Sequence, residues 1–323
     1  MILVTGGTGF VGRQVVKKLL DSNENVVILS ERKHDKLQDL GAKFVLGDIR
    51  NIENVRGVFN KYNIDVVYHL AAAIDEQSSD MWSTNVDGTR NVVEVCKERK
   101  VKQIIFLSSI GVLGEASEPL KEDSPYNPCT RYEESKVAGE NLILFSGIPF
   151  TIVRASIIIG PNDIWLSIFK AAKKRYPIIG DGKNYFHLTT LNDVVHFLVF
   201  AKQNPKTINQ IFNIATSDTP TYEEVYKMVC DSLGIEMTNK HISIRTAKIL
   251  SFFYRIKSIF GKQSVTTMSS SIKRLTRNRL ISTEKISKLM ELSTTRSAIE
   301  QTAEYFAKNN MLGEEEKSKK GKE

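Results

Sequence analysis

The first half of the chain alternates short apolar runs with helical patterns, and this alternation limits the fold more than any other feature. Six runs rich in β-branched residues read as strands: ILVT (2–5), NVVILS (25–30), KFVLG (43–47), DVVYHL (65–70), QIIFLS (103–108) and FTIVR (150–154). Helical patterns lie between most of them, notably Phe10–Asp21, Met81–Glu98 and Tyr132–Ser146. Strands that are apolar on both faces and separated by helices predict a doubly wound parallel sheet of the α/β class, the Rossmann type.

The second half is mostly helical. After a further strand at IFNIA (211–215), helical patterns cover Tyr222–Leu233, Arg245–Phe260, Thr283–Leu292 and Ser297–Asn309. We therefore expect a dinucleotide-type domain over 1–160, with 188–216 returning to it. A smaller, mostly helical C-terminal substrate lobe is expected from 161–187 and 217–312, followed by a disordered charged tail at 313–323.

Composition indicates a soluble globular protein of the cytoplasm. The 323 residues are 41% hydrophobic and 25% charged, and no apolar run is long enough to span a bilayer. Residue 1 leads directly into a strand, so we expect no signal peptide. The cysteines Cys96, Cys129 and Cys230 are scattered, without metal-type spacing, and are read as reduced thiols.

The net charge of +8 is concentrated between Ile242 and Met290, where Glu284 is the only acidic residue. Such a segment suits an anionic substrate or a membrane surface, although a solvated basic face is the default. Within it, 243–262 combines an apolar stripe with flanking basic residues, which predicts either peripheral membrane contact or packing on the lobe. A nucleic-acid partner is not expected, because basic charge alone is weak evidence for one.

The opening TGGTGFVG is the most specific motif. Gly7, Gly9 and Gly12 fit G-x-G-x-x-G, and Gly6, Gly9 and Gly12 fit G-x-x-G-x-x-G. The motif follows a strand and opens a helix, where glycines allow a tight turn and the helix N-terminus attracts a pyrophosphate. It predicts a dinucleotide site.

The stretch TRYEESK places Tyr132 four positions before Lys136 on a predicted helix. Residues at this spacing share a helix face, and an ammonium near a phenol favours the phenolate. Such a pair can transfer a proton near neutral pH. The spacing also arises by chance, so the motif alone does not decide between a catalytic pair and a surface pair.

Further motifs follow in order along the chain: GDIRN (47–51), HLAA (69–72), NVDGT (85–89), SSIGVLG (108–114), YEESK (132–136), VRASIIIGP (153–161) and GDGKNYFHLTTLNDV (180–194). Together with the glycine motif and the C-terminal TRSAIEQTAEYFAKNNML, this series resembles the extended short-chain dehydrogenase/reductases, the NAD-dependent epimerase/dehydratase-like group. Within that group the chain looks most like the reductase and 3β-hydroxysteroid dehydrogenase branch.

The resemblance implies roles for individual residues. Ser109 would hydrogen-bond the substrate oxygen, Tyr132 would act as general acid/base, and Lys136 would bind the nicotinamide ribose and support Tyr132. Asn85 matches a helix residue that supports the site, so the implied catalytic set is Ser109, Tyr132, Lys136 and Asn85. His69 is read as structural. The implied cofactor-binding residues are Gly6, Gly9, Phe10, Val11, Gly12, Ser30, Arg32, Lys33, Asp48, Ile49, Leu70, Ala71, Ala72, Ser108, Tyr132 and Lys136.

The end of the second strand bears on the cofactor. NAD-preferring relatives carry an acid at the position of Ser30, where it binds the ribose 2′-hydroxyl. Ser30, Arg32 and Lys33 suit a 2′-phosphate, whereas Glu31 opposes it. We expect NADP, with NAD as the alternative.

Departures from the family pattern narrow the chemistry. Dehydratases of the family carry an Asp-Glu pair where this chain has Ile110 and Gly111, and many sugar-nucleotide enzymes carry a diphosphate-binding Arg where it has Phe186. The expected function is therefore alcohol–ketone interconversion on an apolar or lipid-like small molecule. A UDP- or dTDP-sugar epimerase and a non-catalytic NAD(P)-sensing regulator are the alternatives. Helices 81–98 and 132–146 are the expected homodimer surface.

Overall fold

A computed structural model describes residues 1–249, 272 and 275–313. The chain divides into two compact units. The first consists of Met1–Ile158, His187–Thr219 and Asn278–Leu292. The second consists of the described residues of Ile159–Phe186, Pro220–Arg277 and Ser293–Glu323.

A seven-stranded parallel sheet forms the centre of the first unit. Its strands are β1 (Ile2–Thr5), β2 (Val26–Ser30), β3 (Lys43–Leu46), β4 (Val66–His69), β5 (Gln103–Ser109), β6 (Phe150–Ala155) and β10 (Gln210–Ile214). They lie in the order β3-β2-β1-β4-β5-β6-β10. The order reverses direction at β1, as in doubly wound sheets that bind ligands at the carboxyl ends of their strands. The predicted Rossmann-type fold is confirmed, including the return of 211–215 to the sheet.

Helices cover both faces of this sheet. They are α1 (Gly12–Asp21), α2 (Asp35–Asp39), α3 (Ile52–Lys61), α4 (Asp80–Trp82), α5 (Gly88–Glu98), α6 (Arg131–Leu144) and α8 (Leu191–Gln203). A π-helical turn, Ser83–Asp87, joins α4 to α5, and a short 3₁₀ turn, Ile110–Leu113, follows β5. The pattern of 81–98, which predicts one helix, is thus interrupted by a wider turn.

The core forms two layers because side chains alternate across each strand. Val4, Ile28 and Tyr68 belong to the layer that α1 and α8 cover, whereas Leu3, Val27 and Val67 belong to the layer under α3 and α5. All six are fully buried or nearly so. Strands buried on both faces explain why the sequence shows continuous apolar runs instead of alternation.

The second unit is smaller and mainly helical. Its elements are α7 (Asp163–Lys173), α9 (Tyr222–Ser232), an α-helix at Thr295–Lys308, and the two-stranded pair of β8 (Ile178–Ile179) with β11 (His241–Ile242). A helical segment at 244–249 follows β11. Phe169 and Phe306 pack edge to face in its core, with ring centres 5.4 Å apart. The remaining strands, β7 (Ile157–Ile159) and β9 (Leu188–Thr190), pair with each other.

One segment lies elsewhere than the sequence placed it. Asn278–Leu292, which we assigned to the lobe, groups with the first unit. Ile281 forms a parallel bridge with Leu120, and Lys285 donates to the Ile211 carbonyl at 2.8 Å. Contacts between residues so far apart in the chain cannot be predicted from a local helical pattern. The helix in this segment is short, Glu284–Ser287.

Two expectations concern residues outside the described ranges. The membrane-contact stretch 243–262 is described only up to residue 249, and the charged tail only at residue 313. Among the residues that the structure describes, no helix combines the length and apolar character that a bilayer crossing requires.

Candidate active site

The glycine motif forms a tight loop between β1 and α1. Gly6 has φ +69°, and a Cβ there would lie 2.5 Å from the backbone nitrogen of Ala71. At Gly12 a Cβ would lie 2.0 Å from the Gly6 carbonyl oxygen. Only glycine fits either position, so the G-x-x-G-x-x-G reading describes the backbone better than G-x-G-x-x-G. The loop also brings β1 against the Leu70–Ala72 segment after β4, where the Leu70 N–H donates to the Thr5 carbonyl.

The N-terminus of α1 is suited to an anion. Val11 provides no side-chain cap, and the first turn carries no acidic residue. Some other helices are capped by side chains, for example α3 by Asn51 and α6 by Thr130. Uncapped N–H groups at a helix start, reached through a glycine loop, are the arrangement that binds a pyrophosphate. The residues present therefore fit a dinucleotide.

Ser109 ends β5 and caps the 3₁₀ turn that follows. Its Oγ accepts a hydrogen bond of 3.1 Å from the Gly111 N–H. A Cβ at Gly111 would lie 2.7 Å from the Glu133 side chain, so the exit of β5 is pressed against the first turn of α6. The structure thereby places Ser109 beside the turn that carries Tyr132.

Tyr132 and Lys136 lie one turn apart on α6, as the sequence predicts. Tyr132 is half-buried, whereas Lys136 is only 4% exposed. Lys136 Nζ donates to the Leu107 carbonyl at 3.0 Å and lies 6.0 Å from the centre of the Tyr132 ring. Burial lowers the pKa of Lys136 from 10.5 to about 8, and the charge of Glu140 partly opposes this change. The Lys136 ammonium is thus held beside the Tyr132 ring, and its pKa lies close to neutral pH.

Asn85 lies in the π-helical turn and has every polar side-chain atom engaged. Its Oδ1 accepts from the Ala73 N–H at 2.8 Å, and its Nδ2 donates to the Ala73 carbonyl and to Ser135 Oγ, each at 2.9 Å. Ser135 in turn donates to the Tyr132 carbonyl at 2.7 Å. Asn85 therefore ties the segment after β4 to the helix of Tyr132. π-Helical turns often occur at functional positions.

His69 fixes the same turn from the sheet side. Burial lowers the pKa of His69 to about 3, so its ring is neutral at ordinary pH. Thr89 donates to the Asn85 carbonyl at 2.6 Å and must therefore accept from His69 Nε2–H at 2.8 Å. His69 Nδ1 then accepts from the Thr5 hydroxyl at 2.7 Å. The ring is a structural link with one defined tautomer, as the sequence reading assumed.

The end of β2 forms a polar edge with Asp48 and Arg50. Ser30 Oγ lies 3.3 Å from Thr8 Oγ1 and accepts from the Arg32 N–H at 3.3 Å. Arg50 pairs with Asp48 at 2.6 Å and with Asp80 at 3.0 Å, and it lies 3.7 Å from the Glu31 carboxylate. The sequence reading missed Arg50, although it stands inside the GDIRN motif.

Several other predicted cofactor residues differ in burial and position. Ile49 is buried against Gly88, and its carbonyl accepts from Asn91 Nδ2 at 2.9 Å. Arg32 and Lys33 are exposed, and Ser108 is buried at the end of β5. Their contacts with a cofactor stay predictions.

Two residues of the 180–194 segment, Phe186 and His187, are buried among other side chains. Phe186 is 2% exposed and packs edge to face on Tyr222 in the second unit, with ring centres 5.6 Å apart. His187 is buried in the first unit, where Nε2 donates to the Thr216 carbonyl at 2.8 Å and Nδ1 accepts from the Ile281 N–H at 3.2 Å. The Phe186 ring is therefore part of the core of the second unit.

Comparison with known proteins identifies the family. The family model of the NAD dependent epimerase/dehydratase family matches residues 2–215. The chain belongs to this family. It is therefore an enzyme, an oxidoreductase of this family. The predicted family membership is confirmed.

Individual relatives differ in their named activities. A putative UDP-glucose 4-epimerase of Methanocaldococcus jannaschii is 30% identical over 302 residues, 85% of this chain and 97% of that protein. The decarboxylating sterol-4-alpha-carboxylate 3-dehydrogenase of Saccharomyces cerevisiae is 29% identical over 253 residues, 68% of this chain and 72% of that protein. The solved UDP-glucuronic acid 4-epimerase of Bacillus cereus, in complex with NAD, has a TM-score of 0.74 at 22% identity, covering 95% of this chain and 99% of its own. That likeness shows the fold alone.

Proposed function

We propose that this enzyme interconverts an alcohol and a ketone or aldehyde on an apolar or lipid-like substrate, with Tyr132 as general acid/base. The observation that carries the proposal is the buried Lys136. Its Nζ donates to the Leu107 carbonyl and lies 6.0 Å from the centre of the Tyr132 ring. A buried cation is costly, and it persists here beside the phenol whose anion it favours.

Each residue then has a stated task. The nicotinamide, when bound, supplies or accepts the hydride. Tyr132 moves the proton at the substrate oxygen through its phenol oxygen, and Ser109 donates a hydrogen bond to that same oxygen. Lys136 holds the nicotinamide ribose and favours the phenolate, while Asn85 positions the turn of α6 that carries Tyr132.

Residues after Ser109 oppose elimination chemistry. Ile110 is 2% exposed, and a Cβ at Gly111 would lie 2.7 Å from the Glu133 side chain, which would have to move. Neither Ile110 nor Gly111 carries a group that can transfer a proton, so the Asp-Glu pair of a dehydratase is absent from these positions. The sterol dehydrogenase among the relatives supports an apolar alcohol as substrate.

For the cofactor we propose NADP(H). Ser30 replaces the acid that would repel a 2′-phosphate, whereas Glu31, 3.7 Å from Arg50, opposes the phosphate. Arg32 and Lys33 are exposed beside this edge and can pair with a phosphate. NADPH should therefore bind more tightly than NADH in a nicotinamide fluorescence titration. Arg32→Ala should reduce the difference, and Lys17→Ala, which removes an exposed cation from α1, serves as the matched control.

The second candidate is a nucleotide-sugar epimerase, because the Methanocaldococcus relative matches over nearly its whole length. One screen separates the two. Hydrophobic ketones and alcohols are tested with NADP(H) by absorbance at 340 nm, and UDP- and dTDP-sugars by thermal shift and product analysis. We expect turnover in the first class only. Saturable micromolar binding of a nucleotide sugar, with conversion at its C4 position, would replace the proposal by the epimerase.

A further inference from the structure

A carboxylate with no assigned task lies beneath the candidate active site. Glu140, on α6 one turn beyond Lys136, has no exposed surface. Arg154 of β6 donates to it through Nε at 3.0 Å and through Nη2 at 2.7 Å. The Arg154 side chain is itself 2% exposed. This is a buried, bidentate ion pair, and such pairs are costly to desolvate.

The same carboxylate collects two hydroxyl donors from other elements. Ser108, the neighbour of Ser109 on β5, donates to Oε1, and Tyr126 donates to Oε2 at 2.7 Å. Arg154 also donates to the Glu122 carbonyl at 2.9 Å. Glu140 thus connects β5, β6, α6 and the segment that precedes α6. Every one of these contacts is within the first unit.

Glu140 is also a negative charge four residues after Lys136 on the same helix, and it raises the pKa of that lysine. In the described part of the chain, titratable groups near the lysine include Tyr132 on its own helix and the neutral His69 of β4, whose ring stacks on Phe106 beneath the lysine. Arg154 and Tyr126 also donate to this carboxylate. An ion pair needed only for packing could be replaced by apolar side chains at little cost. Here the pair connects the strand end of Ser109 with the helix of Lys136.

We propose that Glu140 is a positioning residue: with Arg154 it fixes Ser108 at the end of β5 and presents a negative charge to the Lys136 ammonium. The inference rests on the proposed roles of Ser109, Tyr132 and Lys136. Glu140 touches neither substrate nor cofactor and acts through its neighbours. In its absence Lys136 loses its proton at lower pH, because the charge of Glu140 raises the pKa of the lysine against the effect of burial.

The test removes the charge without stranding Arg154. Glu140→Gln alone leaves a buried guanidinium without its counter-ion, so the double variant Glu140→Gln/Arg154→Met is used. Glu140→Asp keeps the negative charge and tests whether that charge preserves the pH dependence of NADPH affinity. Glu24→Gln/Lys202→Met removes a partly buried ion pair between the segment after α1 and α8, as the matched control. NADPH affinity is measured by nicotinamide fluorescence from pH 6 to pH 10, with thermal unfolding recorded alongside.

Expected results differ from those of a packing role. Parent affinity should fall as pH rises with a midpoint near 8, the pKa of Lys136. The double variant should unfold near the parent temperature with this midpoint at lower pH, and Glu140→Asp should keep the parent midpoint. A folded double variant with the parent midpoint, or weaker binding by one factor at every pH, would overturn the proposal. A shifted midpoint without turnover of any alcohol or ketone would support Glu140 and defeat the proposed substrate class.

Discussion

Replacing Lys136 by methionine should stabilise the cofactor-free protein at neutral pH while it removes the activity. Burial lowers the pKa of Lys136 from 10.5 to about 8. Since one pKa unit corresponds to about 1.4 kcal/mol, keeping the ammonium at pH 7 costs the folded state about 3 kcal/mol. Methionine fills similar space over Phe106 without charge. Loss of the hydrogen bond to the Leu107 carbonyl offsets about 1–2 kcal/mol, which leaves a net gain of about 1–2 kcal/mol.

The pH dependence of this gain gives the sharper assay. Between pH 8 and pH 10.5 the unfolded chain keeps the lysine proton and the folded chain has released it, so the parent gains stability as pH rises. The advantage of the variant in the free energy of unfolding should shrink by about 2.5 kcal/mol from pH 7 to pH 10. Urea unfolding of both proteins at four pH values measures it, and titration of tyrosines and cysteines cancels in the difference. A difference that stays constant over this range would refute the reasoning.

Three further substitutions test the site. Tyr132→Phe should reduce kcat by at least about 100-fold with unchanged NADPH affinity, and turnover within a few-fold of the parent would exclude Tyr132 as the acid/base. Gly6→Ala should cost about 2–4 kcal/mol in urea unfolding and abolish NADPH binding, because a Cβ would lie 2.5 Å from Ala71 N at φ +69°. Thr89→Val, which leaves His69 Nε2–H without an acceptor, should cost about 1–3 kcal/mol and lower kcat more than the Kd of NADPH changes; parent-like stability would contradict the hydrogen-bond chain.

The parts of the structure that depend on local pattern could be predicted from the sequence. Buried strands show as apolar runs, the glycine loop shows as spaced glycines, and Tyr132 and Lys136 share a helix face through their spacing. All three depend on residues close together in the chain. The same alternation predicts a doubly wound parallel sheet, and right-handed crossovers leave few topologies for it.

What could not be predicted depends on residues distant in sequence or on their surroundings. Nothing in the sequence indicates that Glu140 pairs with Arg154, since the two residues lie on different elements. Arg50 takes its role from three separate acids, and Asn278–Leu292 joins the first unit through a bridge to Leu120. An apolar residue such as Phe186 is expected in a substrate pocket as well as in a core. Its contact with Tyr222 shows that it packs in the core.

Because of the π-helical turn Ser83–Asp87, this region tolerates no change in its number of residues. An α-helix advances about 100° per residue, so deleting one residue here would allow 80–98 to run as a continuous helix turned by that angle. Asn85 could then stay on Ala73 only if the fully buried Val92 and Cys96 left the core. Redesign of this helix can therefore change residue types, but it must keep the number of residues between Asn85 and Val92.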